Sequence, residues 1–368
     1  MLRISALLLI AVSGLTAQST GLNWLKLPDP RMEIDGLPWY AESGGRLMRF
    51  PPRLKDTIPA QVYSLGLSPS GGRIRFRTDS ARLAIRVEYP GPPNMANMHA
   101  YGQTGVDLYL DGVYRSTAIA DKDSKPGKPV EKVYFDLSQR PRAMREVTLY
   151  LPLYKGAQIL GIGFDAEAKI EPPTSFALPK PVVYYGTSIT QGGCASRPGM
   201  SYQAQVGRWL NLDFVNLGFS GAGKGEPEVA HAVAEIDAAA FVLDFSQNNR
   251  TLDSVKEVYD PFLAVLREKH PATPIVAITP IMQAAEQITE TEIEGMRVHI
   301  RQVVSARIGK GDRNLYLIEG TDLIGPGRLD AYVDGNHPND LGFYWMAEGI
   351  APRLVKLLGL PAAVGGGR

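Results

Sequence analysis

The 368-residue sequence contains one cysteine, Cys194, so no internal disulfide can form and the fold has to be held together by its buried cores. It also lacks an excess of either charge. Lys and Arg total 39 against 38 Asp and Glu, and this balance argues against nucleic acid or an acidic membrane surface as an electrostatic partner. Long apolar runs are absent apart from Ile4 to Val12, which follows Arg3 and leads into the small residues of Ser13 to Ser19. That pattern is a secretory signal peptide over residues 1–19, too short to span a bilayer, with cleavage expected near Ala17 or Ser19. No cysteine follows the run to carry a lipid anchor. No His, Cys or Asp pair at ligand spacing supports a metal site, and no P-loop Lys-Ser/Thr pair supports a phosphate-cradling loop.

What is present divides into two halves. A chain of this length suggests about two domains of roughly 100–200 residues each. From about Ile58 to Phe164 apolar residues recur with period two, as in "RIRFR" (73–77) and "LAIRVEY" (83–89), where Leu83, Ile85 and Val87 share one face. Gly, Pro and Asp turns separate these segments, and no amphipathic helix is expected among them. The expectation is an all-β, jelly-roll-like sandwich over residues 20–172. The proline-rich connector "EAKIEPPTSFALPKP" follows. Beyond it, strand-like runs at 182–185, 214–219, 241–245, 275–281 and 315–319 alternate with helix-length stretches at 201–211, 226–239, 251–269, 289–308 and 340–358. Five buried strands alternating with helices predict a parallel sheet covered on both faces, an α/β/α domain over residues 180–361. Sites in such sheets form beyond the carboxyl ends of the strands.

Several polar residues fall at those ends. Ser188 follows the first strand, Ser220 and Gly221 the second, and Asn248 and Asn249 the third. A serine nucleophile needs a base, a group that orients the base, and donors for an oxyanion. Of the five histidines, His231 and His299 fall in helical patterns and His270 at a helix end. His337 lies instead in "DGNHPND", three residues after Asp334, a spacing that lets a carboxylate reach one ring nitrogen while the other faces a nucleophile. The same D-x-x-H also fits a turn capped by Asp334. Each of these loops has an ordinary turn reading; their common placement along one sheet edge favours a shared site.

At these residues the chain resembles the SGNH (GDSL-type) hydrolases. "YYGTSITQGG" is similar to the first block of that superfamily, "NLGFSG" to the second, "DFSQN" to the third and "DGNHPNDLG" to the last. "VYSLGLSPSGGRIRFRTDS", "GQTGVDLYLDG" and "LPLY" resemble the N-terminal β-domain of its two-domain subgroup. The resemblance implies Ser188 as nucleophile, His337 as base and Asp334 as its partner. It also implies an oxyanion hole from the backbone N–H groups of Ser188 and Gly221 and the side chain of Asn248, with no metal or organic cofactor. The usual third block is Gly-x-Asn-Asp, and here Ser246 and Asn249 replace its Gly and Asp. The implied activity is a secreted or periplasmic serine esterase acting on acetylated oligo- or polysaccharide. A short-chain acyl or lipid esterase, and a carbohydrate-binding protein with an inactive hydrolase domain, are the alternatives. His99 in "PNMANMHAYGQTG" is a candidate to reach over the crevice. Cys194 is a candidate to line it or to be a small buried residue, and Arg197 and Tyr202 to form its rim or to cap the next helix.

Overall fold

The computed structural model describes residues 21–361, so the stretch 1–19 expected to be a signal peptide lies outside the described residues. Two short strands, β1 (Asn23–Leu25) and β2 (Glu33–Asp35), precede helix α1 (Ala60–Gly66). The alternating segments form β3 (Arg73–Thr78), β4 (Arg82–Glu88), β5 (Val106–Leu110), β6 (Val113–Ala118), β7 (Val130–Asp136), β8 (Arg145–Tyr150), β9 (Gln158–Phe164) and the short β10 (Ile170–Glu171). They pair into two antiparallel sheets, β1-β9-β4-β7 and β10-β3-β8-β5-β6, with β2 added to β3. Leu83, Ile85 and Val87 of β4 meet Ile74, Phe76, Leu108 and Val147 of the other sheet in one core, so the two sheets form a sandwich.

Two helices interrupt the region expected to be helix-free: α1, and α2 (Ala100–Thr104) just before β5. At seven and five residues, neither is long enough to impose a 3.6-residue period on the pattern.

The second half begins with β11 (Val182–Gly186), followed by α3 (Ser188–Gln191), α4 (Tyr202–Leu210), β12 (Phe214–Gly218), α5 (Pro227–Val233) and β13 (Ala240–Asp244). It continues through α6 (Leu252–Lys269), β14 (Ile275–Ile278), α7 (Ile293–Gly309), β15 (Leu315–Ile318), α8 (Gly320–Leu323) and α9 (Asp340–Leu357). The five strands lie parallel in the order β12-β11-β13-β14-β15. Alternation along β11 sends Val183 and Tyr185 into one core, with Val229 of α5 and Phe262 of α6, and Val182 and Tyr184 into the other, with Val206 of α4 and Phe343 of α9. This is the three-layer arrangement expected from the pattern.

The two halves share buried surface. Trp39, Phe50, Leu54, Ile58 and Val62, which precede β3, pack into the same core as Tyr185, Phe219 and Phe245. Between β5 and the segment after α3, Asp107 is fully buried and pairs with Arg197 at 3.2 Å. None of the described helices is long and apolar enough to cross a membrane.

Candidate active site

The tightly packed ends of β11 and β12 present the first two loops. A Cβ at Gly218 would collide with the backbone of Thr190 and Gln191, so only glycine lets the second strand end against the turn that carries Ser188. Thr187 caps α3 by accepting from the Ile189 N–H at 3.2 Å, which places Ser188 at the first position of the helix. Gln191 then fixes the neighbouring loop: its side-chain oxygen accepts from the Ser220 N–H at 3.0 Å, and its amide donates to the Leu153 carbonyl at 3.0 Å. Gly221 follows with φ of +64°, the left-handed conformation that favours glycine. Among the described residues, the N–H groups of Ser188 and Gly221 have no protein acceptor.

His337 reaches this corner from the loop before α9. Its Nε2 lies 2.9 Å from the Ser188 Oγ, and its Nδ1 lies 2.8 Å from the Asp334 Oδ2. The other Asp334 oxygen, Oδ1, accepts from the His337 N–H at 2.8 Å and the Asn336 N–H at 3.1 Å. Asp334 is thus a turn cap and the imidazole's partner at once, one oxygen for each task. Its loop is anchored at both sides: Ala284 N–H donates to Gly335 at 2.9 Å, and Asn339 caps α9 through Leu341 and Gly342. The Asp340 carboxylate accepts from the Ser196 N–H at 2.8 Å, tying the loop to the segment that follows Ser188.

The Asp334 side chain is 33% exposed. Partial burial works against its ionisation, but the Asn97 amide, the His337 N–H and the His337 ring outweigh it and hold the carboxyl well below its ordinary range. Asn97 comes from the sandwich half and donates to Oδ2 at 2.9 Å. No local sequence signal marks this residue, which lies two positions before the candidate His99. The His99 side chain instead accepts from the Tyr101 N–H at 3.3 Å and caps α2, exposed to solvent.

Cys194 is buried, and its thiol lies within 4.8 Å of ligand atoms of both Asp334 and His337. Burial, with the nearby Asp334 charge, pushes the thiol up to about 12, so it stays protonated. With the thiol protonated and the His337 Nδ1 already hydrogen-bonded to Asp334, Cys194 forms a wall beside the base and its carboxylate. Neither Arg197 nor Tyr202 caps α4, whose N-cap position is Ser201. Arg197 lies against Asp107, Tyr109 and the face of Tyr114, and Tyr202 is fully buried against Tyr184 and Phe343.

Asn248 sits in the turn after β13, beside the Gly221 loop. Its amide donates to the Phe219 carbonyl at 2.9 Å and the Gly223 carbonyl at 3.0 Å, the two carbonyls that flank Gly221. Both amide hydrogens are therefore engaged in bracing the loop. Asn249 is buried and donates to the Lys224 carbonyl at 3.2 Å. Beneath the loop, the fully buried Arg49 pairs with no carboxylate among the described residues. Its guanidinium donates to the carbonyls of Gly218, Leu65 and Ser68 and lies 4.5 Å from the Phe219 ring centre, and burial draws its pKa down to about 9.

Residues 179–355 match the GDSL-like lipase/acylhydrolase family, and residues 22–170 match the N-terminus of the SGNH-hydrolase-type esterases. A crystal structure of a GDSL-like lipase from Bacteroides ovatus is 32% identical, covers 92% of this chain and 99% of its own, and superimposes with a TM-score of 0.81. The salicylyl-acyltransferase SsfX3 of a tetracycline biosynthetic pathway is 23% identical over 92% of this chain and 98% of its own, with a TM-score of 0.78. A family two carbohydrate esterase from Clostridium thermocellum, solved in complex with cellohexaose, is 15% identical over 79% of this chain and 93% of its own, with a TM-score of 0.60. The last two likenesses are of fold. No curated protein matches the sequence. The chain belongs to the GDSL-like lipase/acylhydrolase family of SGNH hydrolases.

Proposed function

We propose that the protein is an exported serine esterase that removes acetyl groups from O-acetylated oligo- or polysaccharide. The observation that carries the chemistry is the continuous hydrogen-bonded run from Ser188 Oγ through the His337 ring to Asp334 Oδ2, at 2.9 and 2.8 Å. The Ser188 oxygen attacks the ester carbonyl as its proton passes to the His337 Nε2. Asp334 holds the ring with the other nitrogen protonated and stabilises the imidazolium that forms. The negative oxygen of the tetrahedral intermediate is received by the N–H groups of Ser188 and Gly221, with Asn248 beside them. Collapse releases the sugar hydroxyl, which takes the proton from His337. A water then attacks the acyl-enzyme by the same route, giving acetate and free Ser188.

The substrate class is supported by the fold shared with carbohydrate esterases, one of them holding a cello-oligosaccharide, and by the signal-like start of the chain. A fluorophosphonate probe should label wild-type protein and leave Ser188→Ala unlabelled, and acetate should be released from an acetylated xylan. Labelling of neither protein would favour the inactive, carbohydrate-binding alternative. Labelling with no acetate from any acetylated glycan, and faster cleavage of longer p-nitrophenyl esters, would make it an acyl or lipid esterase.

A further inference from the structure

The Asp334 Oδ2 has two donors: the His337 ring at 2.8 Å, and the amide of Asn97 at 2.9 Å, which lies 237 residues away in the sandwich half. Asn97 lies in the loop between β4 and α2. The same loop is pinned from behind by Gln103, whose side-chain oxygen accepts from the N–H groups of Asn94 and Met95 at 2.8 and 3.0 Å and whose amide donates to the Met98 carbonyl at 2.6 Å. Gln103 is 2% exposed, so a buried residue of α2 sets the conformation of the loop that reaches Asp334.

We infer that Asn97 is a positioning residue of the catalytic corner, so that the sandwich half supplies a fourth member to the Ser188–His337–Asp334 set. This rests on the triad reading of the preceding section. The physical role follows from the shared oxygen. A carboxylate on an exposed turn can rotate away from its imidazole, and a second, fixed donor on Oδ2 selects the rotamer in which that oxygen faces the Nδ1. The same donor draws electron density from Oδ2, which moderates the pull of Asp334 on the imidazolium proton. Among the described residues, the groups against Asp334 are the His337 ring and N–H and the Asn336 N–H from its own loop, the Cys194 thiol from the segment after α3, and Asn97. The thiol among them is held protonated by its burial.

The test measures kcat and KM for p-nitrophenyl acetate across pH in wild type, Asn97→Ala and Asn97→Asp, with Ser188→Ala as the control. Losing the Asn97 hydrogen bond to the ionised Asp334 carboxylate should lower kcat about threefold to tenfold while KM changes little. The acid limb of kcat/KM should also move to higher pH, because Asp334 then pulls harder on the His337 proton. The shift should be larger in Asn97→Asp, which is isosteric and adds a second negative charge. A purely structural role would lower the folded fraction and leave the limb in place. Should Asn97→Ala fold poorly, the isosteric variant carries the measurement. Unchanged kcat and an unchanged limb in the variants, with Ser188→Ala inactive, would overturn the role of Asn97 alone. Turnover surviving in Ser188→Ala would instead remove the triad on which it rests.

Discussion

Arg197, nine residues after Ser188, donates to the buried carboxylate of Asp107 at 3.2 Å, and so joins the first half of the chain to the loop that follows the nucleophile. Asp107 also accepts from the Thr117 hydroxyl at 2.6 Å and the Gly199 N–H at 2.8 Å. Burial pushes its carboxyl up, and these three partners pull it back. Removing one member of such a pair leaves the other buried without a counter-charge, at a cost of about 3–5 kcal/mol. Asp107→Ala should therefore lower the melting temperature strongly. With Trp39, Phe50 and Val62 packed in the α/β core, the protein should melt in one step by both circular dichroism and tryptophan fluorescence. Deleting residues 20–170 should give insoluble protein. Two separate melting steps, or a soluble fragment with full activity on polymer, would show that the halves fold independently.

Ser188 and His337 should behave as one unit. Ser188→Ala and His337→Ala should each abolish nearly all turnover, and the double variant should be little worse, since neither group works without the other. Asp334→Asn should cost less, because water can replace part of the orienting carboxylate. Losses that multiply in the Ser188/His337 double variant would contradict the assignment.

Asn248 and Asn249 should separate by what they touch. The Asn248 amide holds the carbonyls on both sides of Gly221, and one of those bonds must be shared or released before the amide can also donate to an oxyanion. By either route Asn248→Ala should lower kcat by about 10²-fold with little change in KM. Asn248→Asp should be worse, because a carboxylate faces both loop carbonyls and the developing charge. Asn249→Ala should mainly lower the melting temperature. A crippled Asn249→Ala beside a mild Asn248→Ala would move the third block's register by one residue.

Asp244, at the end of β13, is 1% exposed, and neither carboxylate oxygen makes a hydrogen bond of normal geometry. Burial raises its pKa to about 7, against the lesser influence of the nearby Gln247 amide and Thr190 hydroxyl. A carboxyl raised in the folded state contributes most below its unfolded pKa of about 3.9 and loses that contribution as pH climbs to about 7. Urea unfolding of wild type and Asp244→Asn at pH 5 and pH 8 isolates this from Asp35, which titrates near pH 6 in both proteins. The difference in stability should shift in favour of the amide by on the order of a few kcal/mol at the higher pH. A difference that stays constant with pH would mean Asp244 is ionised throughout.

What the sequence determined by itself was local or periodic. The alternation of Leu83, Ile85 and Val87 marks a strand with one buried face, and the switch from period two to strand–helix alternation after the proline-rich connector marks the parallel sheet, because each pattern follows from the backbone geometry of a single element. The proximity of Asp334 and His337 was legible for the same reason: three residues of one turn suffice to bring carboxylate and ring together. The short helices α1 and α2 were not, having too few residues to repeat a pattern. Only the tertiary structure decided which side chains from the sandwich reach the site. Asn97 and not His99 meets Asp334, Arg49 lies buried under the Gly221 loop although its type favours the surface, and the Asn248 amide is turned onto neighbouring carbonyls. The Asn97 and Arg49 contacts depend on how two separately patterned halves dock, and the Asn248 contacts on how two loops of the α/β half meet; both are set by the summed shape of buried surfaces from many segments, which no stretch of sequence carries alone.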